Sequence, residues 1–250
     1  MSRPLHGRRA VVTGAASGLG AAAVKALVEA GAHVVGTYHQ TEPADDAGAH
    51  WLQCDARDPV AVDTMIDAAV STLGGLDVLV NAAGLWHQGI PGSITAADID
   101  FVLDTNLKTT IYTNQSAHAV MRKSGGHIIN FGSSEAVMGS PISAVYAAAK
   151  GAVQAWTRSA AKAWAADKVT VNALAPAMQT RGADRLREFL GPGAATFIDQ
   201  QIKASIPLGG ALGDPERDLG PVVVFLAGEG SRFITGQLLA VDGGLIMLGS

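Results

Sequence analysis

Short runs of β-branched and other apolar residues recur along the chain, separated by longer, alanine-rich stretches. The runs at 9–13, 33–37, 51–54, 77–80, 127–131, 169–173 and 238–241 predict strands. Several are apolar at nearly every position rather than at alternate ones, which suits strands covered on both faces. Helices are predicted over 19–30, 59–73, 96–123, 144–166 and 215–227. Strand–helix alternation implies right-handed crossovers and an α/β fold: a doubly wound parallel sheet of about seven strands with helices on both faces. No repeat or low-complexity linker divides the sequence, so one domain is expected over 1–250. One stretch breaks the rhythm. Residues 178–208 carry Gly182, Gly191-Pro192-Gly193 and Pro207, and read as an irregular segment. So long a loop in a compact domain is usually functional, and a substrate-covering lid is the expectation. A surface excursion over the sheet edge is the alternative.

Composition narrows the field. With 48% hydrophobic residues a sizeable core is available, and a net charge of −4 from interspersed charges leaves no basic stripe for nucleic acid and no basic face for a membrane. No apolar run approaches the roughly 20 residues that span a bilayer. After Arg3, Arg8 and Arg9 the apolar run covers only 10–12, so no signal peptide is read. Cys54 is the single cysteine, which excludes internal disulfides and fits a reducing compartment; a cytoplasmic protein is expected. Cys54, at a strand end, reads as a packed residue. The seven histidines form no ligand cluster, so no metal site is expected.

Chemistry enters where the first strand ends. Thr13-Gly14-Ala15-Ala16-Ser17-Gly18-Leu19-Gly20 leads into an alanine-rich helix. Glycines there permit a tight turn and close approach of a pyrophosphate, and the helix start offers N–H donors. The spacing G-xxx-G-x-G resembles that of the short-chain dehydrogenase/reductase family, and further motifs follow in the family's order. Asn81-Ala82-Ala83-Gly84 is similar to its NNAG element, with Ala82 in place of the second asparagine. Asn106 stands at its helix asparagine, and Ser133, Tyr146 and Lys150 match its Ser…Tyr-xxx-Lys set. Pro176-Ala177 resembles its PG element, and Val241-Asp242-Gly243-Gly244 its C-terminal strand.

The resemblance implies a Rossmann-like NAD(P)-binding oxidoreductase. Its cofactor contacts would come from Gly14, Ser17, Gly18, Leu19 and Gly20 in the first turn, and from Thr37, Tyr38 and His39 after the second strand. Asp55 and Ala56 after the third, then Asn81, Ala82, Ala83 and Gly84, would follow. Tyr146, Lys150, Pro176, Ala177 and Gln179 would complete the set. Asp55 also reads as a helix cap ahead of Pro59. Tyr38 occupies the position where NAD-preferring relatives place an aspartate, so no carboxylate repels a 2′-phosphate there, and Thr37, His39 and Gln40 offer hydrogen bonds. Against this stand Ser17, where many NADP-preferring relatives carry arginine, and nearby Glu42. The short 41–50 connection also resembles NAD-dependent dihydrodiol dehydrogenases. NADP(H) is favoured slightly over NAD(H).

Hydride transfer between an alcohol and nicotinamide needs a group that moves the hydroxyl proton. Tyr146 and Lys150 stand four apart in a helical stretch, on one face. An ammonium about 4 Å from a phenolate contributes roughly 4 kcal/mol at an effective dielectric of about 20. That equals about three pKa units and would bring Tyr146 near 7. By resemblance, Tyr146 is the acid/base, Lys150 also binds the nicotinamide ribose, Ser133 polarises the substrate oxygen and Asn106 holds a water. Ser134 competes for the serine role, but spacing favours Ser133.

Leu85, Trp86, His87, Glu135, Met138 and Met178 follow these motifs and suggest a mostly apolar pocket for a medium-sized secondary alcohol or ketone. Glu135 is the odd one, either orienting a polar substrate group or facing solvent. The family's threonine slot holds Arg181, with Thr180 one residue early, which leaves Thr180, Arg181 and the Gln179 backbone as alternatives for the contact to the carboxamide. Trp156 and Trp164 share a helical stripe suited to core or to a subunit interface, and the resemblance implies a homotetramer. Alternatives are an NAD-dependent dihydrodiol or cyclic-alcohol dehydrogenase, and a non-catalytic dinucleotide sensor. Enoyl reduction, dehydration or epimerisation is a further rival, although enoyl reductases of the superfamily usually space tyrosine and lysine more widely.

Overall fold

The computed structural model describes residues 3–40, 43 and 48–247. Strands β1 (Arg9–Thr13), β2 (His33–Tyr38), β3 (His50–Gln53), β4 (Val78–Asn81), β5 (Gly126–Phe131), β6 (Val169–Pro176) and β7 (Leu238–Val241) form one parallel sheet. Their order is β3-β2-β1-β4-β5-β6-β7. Each strand starts within one residue of its sequence expectation; the inner strands are buried along nearly their whole length, whereas the edge strands β3 and β7 are only partly buried.

Successive side chains on a strand point to opposite faces, so adjacent residues feed different halves of the core. Val11, Leu79 and Ile128 pack with Ile66 of α2 (Pro59–Leu73), Met121 of α4 (Thr109–Met121) and Ala160 of α6 (Ala144–Trp164). Val12, Val80 and Ile129 face the other way, onto Leu27 of α1 (Gly18–Glu29) and Val223 of α8 (Gly220–Leu226). From β1 the chain winds outward to β2 and β3, then returns to β4 on the far side of β1. Connections diverge at this reversal and leave a crevice beyond the C-terminal ends of β1 and β4.

Helix boundaries correct several expectations. Asp58, not Asp55, caps α2: its side chain accepts from the Val60 N–H at 2.8 Å. The predicted helix 96–123 divides into α3 (Ala96–Leu103), a π-helical turn Asp104–Lys108, and α4. Residues 215–227 likewise open with a π-helical turn, Pro215–Leu219. The short helix α5 (Glu135–Met138) was not anticipated.

Residues 178–208 are not irregular, since most of them form α7 (Arg181–Ser205). Leu186, Phe189 and Leu190 fall at helical spacing, as do Ile198 and Ile202. Gly191 (φ 74°, ψ 170°) bends the helix, and Pro192 then opens the second segment, where its missing N–H costs nothing. Gly-Pro-Gly changes the direction of the chain here and leaves both sides helical.

The tryptophan stripe packs inward against α4. Trp156 donates its indole N–H to Asn114 Oδ1 at 3.0 Å, and Trp164 stacks on His118 with ring centroids 4.3 Å apart. Cys54 is buried as expected, and burial is the main cause pushing its thiol up to about 11. Among the described residues, no helix is long and apolar enough to cross a membrane.

Candidate active site

The crevice is a cleft of about 920 Å³. Its floor is the turn from β1 to α1. Gly14 has φ 61°, and a Cβ there would lie 2.8 Å from the Ala83 Cα, so only glycine lets this turn seat against the end of β4. Gly18 (φ 57°) lines the cleft with no protein atom within 4 Å of where a Cβ would stand; the space its side chain would fill is cleft space. Ser17, Leu19 and Gly20 line it too, and Ser17 precedes the helix without a side-chain cap. Bare backbone at an uncapped helix start fits the pyrophosphate of a dinucleotide.

At the β2 end, Tyr38, His39, Gln40 and Pro43 line the cleft. Thr37 does not; it is buried in the sheet, where its carbonyl accepts from the Ala15 N–H at 2.8 Å. Glu42 and most of the 41–47 connection lie outside the described residues. Asp55 and Ala56 stand outside the lining. Arg57, unremarked in the sequence, grips Asp55 through Nε at 2.9 Å and Nη2 at 2.7 Å, and His39 Nε2 lies 3.4 Å away. The Arg57 hydrogen bond is the main cause holding the Asp55 carboxyl at about 2.

Ala82 and Gly84 reach the cleft, whereas Asn81 and Ala83 do not. Asn81 is the hub of a buried network. Its Oδ1 accepts from Thr13 Oγ1 at 2.8 Å and Thr113 Oγ1 at 2.9 Å, and its Nδ2 donates to Thr110 Oγ1 at 2.9 Å. Its partners lie 68, 32 and 29 residues away in sequence, so no local pattern reveals them. Asn106 is fully buried in the π-helical turn. Its Oδ1 accepts from the Leu85 N–H at 3.1 Å, and its Nδ2 donates to the carbonyls of Leu85 at 3.1 Å and Val102 at 3.2 Å.

Ser133, Tyr146 and Lys150 converge on the cleft's inner end. Lys150 is 5% exposed and donates to the Phe131 carbonyl at 3.0 Å, with Nζ 5.8 Å from the Tyr146 ring centroid. Gly84 (φ 153°) makes room for it: a Cβ there would sit 2.8 Å from Asn106 Oδ1 and 3.5 Å from Lys150 Nζ.

The electrostatics run opposite to the sequence expectation. Burial pushes the Tyr146 phenol above its ordinary value, and the Glu135 charge pushes it further, while the Ser133 hydroxyl pulls it down. Burial also pulls Lys150 down to about 8. In this arrangement the ammonium serves the Phe131 carbonyl, and the phenol keeps its proton at neutral pH.

The substrate side is walled by Leu85, Trp86, Ser134, Glu135, Met138 and Met178; Pro176 and Ala177 are also present. His87 is outside the wall, 3.4 Å from Asp98. From α7 come Arg181, Arg185, Leu186, Arg187, Ile198 and Ile202; of these only Arg181 was considered from sequence. The amphipathic spacing of 186–202 was the signal that could have found the others. Thr180 lines the cleft. Gln179 does not, and its N–H is taken by the Gly213 carbonyl at 2.9 Å, so this backbone donor is already engaged. Among the described residues, no cluster of three or more His, Cys, Asp or Glu side chains is placed to hold a metal ion.

A family model described as Enoyl-(Acyl carrier protein) reductase matches residues 14–246. The chain is 33% identical to versicolorin reductase of Emericella nidulans, over 96% of both chains. It is 33% identical to the 3-oxoacyl-[acyl-carrier-protein] reductase FabG of Vibrio cholerae, over 98% of this chain and 99% of that one. A solved Sinorhizobium meliloti 1021 structure, described as a short-chain alcohol dehydrogenase, superposes with a TM-score of 0.90 at 34% identity, over 98% of each chain.

Proposed function

We propose a reaction for this chain, which belongs to the short-chain dehydrogenase/reductase family and is an oxidoreductase: NAD(P)(H)-linked interconversion of a ketone and a secondary alcohol. One observation carries the reading, namely that Ser133, Tyr146 and Lys150 meet at one end of a cleft floored by Gly14, Gly18 and Gly20. The nicotinamide dinucleotide, when bound, supplies the hydride donor or acceptor.

In the reducing direction, the Tyr146 phenol gives its proton to the carbonyl oxygen as the alkoxide forms. A phenol kept neutral by burial is ready for that step without prior protonation. Ser133 holds the same oxygen by hydrogen bonding. Lys150, largely protonated at neutral pH, stabilises the phenolate left behind. Asn106 fixes the Leu85 backbone and, with Gly84, the pocket in which Lys150 Nζ lies. NADP(H) is favoured over NAD(H), since Tyr38, His39 and Gln40 line the β2 end with no carboxylate among the described residues there.

Enoyl reduction, the wording of the matched family model, is the second reading. The four-residue spacing of Tyr146 and Lys150 within α6, and relatives named as ketone or alcohol oxidoreductases, favour carbonyl chemistry.

The test follows NADPH and NADH consumption across ketones and enones. Tyr146→Phe should lower turnover by about 100-fold or more, while NADPH binding, followed by fluorescence, is largely retained. Near-normal turnover in this variant overturns the assignment.

A further inference from the structure

Resting on the reaction proposed above, we infer that the Glu135 carboxylate selects substrates bearing a second hydroxyl group close to the carbon that reacts. Glu135 is the sole carboxylate among the described residues of the cleft wall, which also carries Trp86, Met138, Leu85 and Met178.

Its position is fixed from both ends. Its backbone N–H donates to Ser133 Oγ at 3.1 Å, which ties it to the serine of the reacting centre. Its Oε2 accepts a short hydrogen bond from the Ser143 hydroxyl. The Ser143 hydroxyl also lies within hydrogen-bonding distance of Ser140 Oγ, at 2.7 Å. Ser143 stands at the start of α6 and spends its side chain here rather than on a helix cap.

Among the described residues, no cation is close enough to act on this carboxylate. Burial raises its pKa, and only the two serines and the Trp86 indole act against that. Trp86 Nε1 is itself buried and reaches no acceptor at hydrogen-bonding geometry. A carboxylate desolvated against an apolar wall is costly unless it gains a donor. An apolar ketone closing over Glu135 would exact that cost, whereas a hydroxyl beside the reacting carbonyl supplies the donor. It also brings an oxygen to the corner where the indole N–H makes no well-aligned hydrogen bond. An ammonium would meet a cleft bearing Lys150, Arg181, Arg185 and Arg187, a net positive wall that repels it. The neutral hydroxyl fits both features.

The experiment compares kcat/KM for cyclohexanone with that for 2- and 3-hydroxycyclohexanone, in wild type, Glu135→Ala and Glu135→Gln. The wild type should prefer a hydroxylated ketone by about 10- to 100-fold. Alanine should bring that ratio close to one, and glutamine, an acceptor without charge, should give an intermediate ratio. Because the ratio is taken within one preparation, a general loss of folding or of Tyr146 alignment cancels from it. A wild-type ratio near one, or a ratio unmoved in both variants, overturns the inference. Absence of NAD(P)H-linked turnover with every ketone would instead defeat the proposed reaction.

Discussion

Two buried polar clusters lie at the same end of the sheet, built from similar groups and finished differently. Around Asn81, three threonine hydroxyls and an amide satisfy one another across β1, β4 and α4. Around Glu135, no cation among the described residues contributes, and the Trp86 indole N–H approaches without a well-aligned hydrogen bond. Buried polar groups cost free energy unless partnered. The first cluster therefore holds the fold together, and the second is complete only when something else arrives.

The contrast can be broken most forcefully at its satisfied end. Asn81→Ala removes three buried hydrogen bonds and leaves a cavity, although each threonine hydroxyl keeps at least one other partner, and should cost about 1–3 kcal/mol in urea unfolding; a loss well below 1 kcal/mol would mean the cluster is not structural. Lys150 tests the opposite bargain at the reacting centre. Its folded pKa of about 8 lies below the ordinary 10.5, so the unfolded chain binds that proton more tightly. Stability from this group therefore rises between about pH 8 and 10.5, and the penalty is fully present below pH 8. Lys150→Met should abolish turnover yet stabilise the fold by on the order of 1–2 kcal/mol at pH 7. That gain should vanish by pH 10.5; an equal gain at both values contradicts the electrostatic cause. The smallest effect belongs to Trp86→Phe, which removes only a poorly aligned donor beside Glu135. Stability should change by less than about 0.5 kcal/mol, and a larger loss would reveal a partner for the indole.

What the sequence made legible follows the range of the forces involved. Strands such as β1 and β6 announce themselves because burial on both faces demands continuous apolar runs. Tyr146 and Lys150, one helical turn apart, could be paired by spacing alone. The sign of their electrostatics could not, because it depends first on the burial of Tyr146 and Lys150 themselves and then on the charge of Glu135. Asn81 misled in another way: its motif pointed to a ligand, while the threonines that engage it arrive from β1 and α4. Gly191-Pro192-Gly193 read as a break in structure, although helix propensity and apolar spacing on either side restored α7 around it.

The missing side chain at Gly84 has a consequence for how this molecule can vary. A single methyl group at that position would clash with Asn106 Oδ1 and touch the Lys150 ammonium. A residue that reads as part of a nucleotide loop thus sets the clearance of the Asn106 amide behind it, next to Lys150. Drift at position 84 would be felt first as chemistry and only afterwards as affinity.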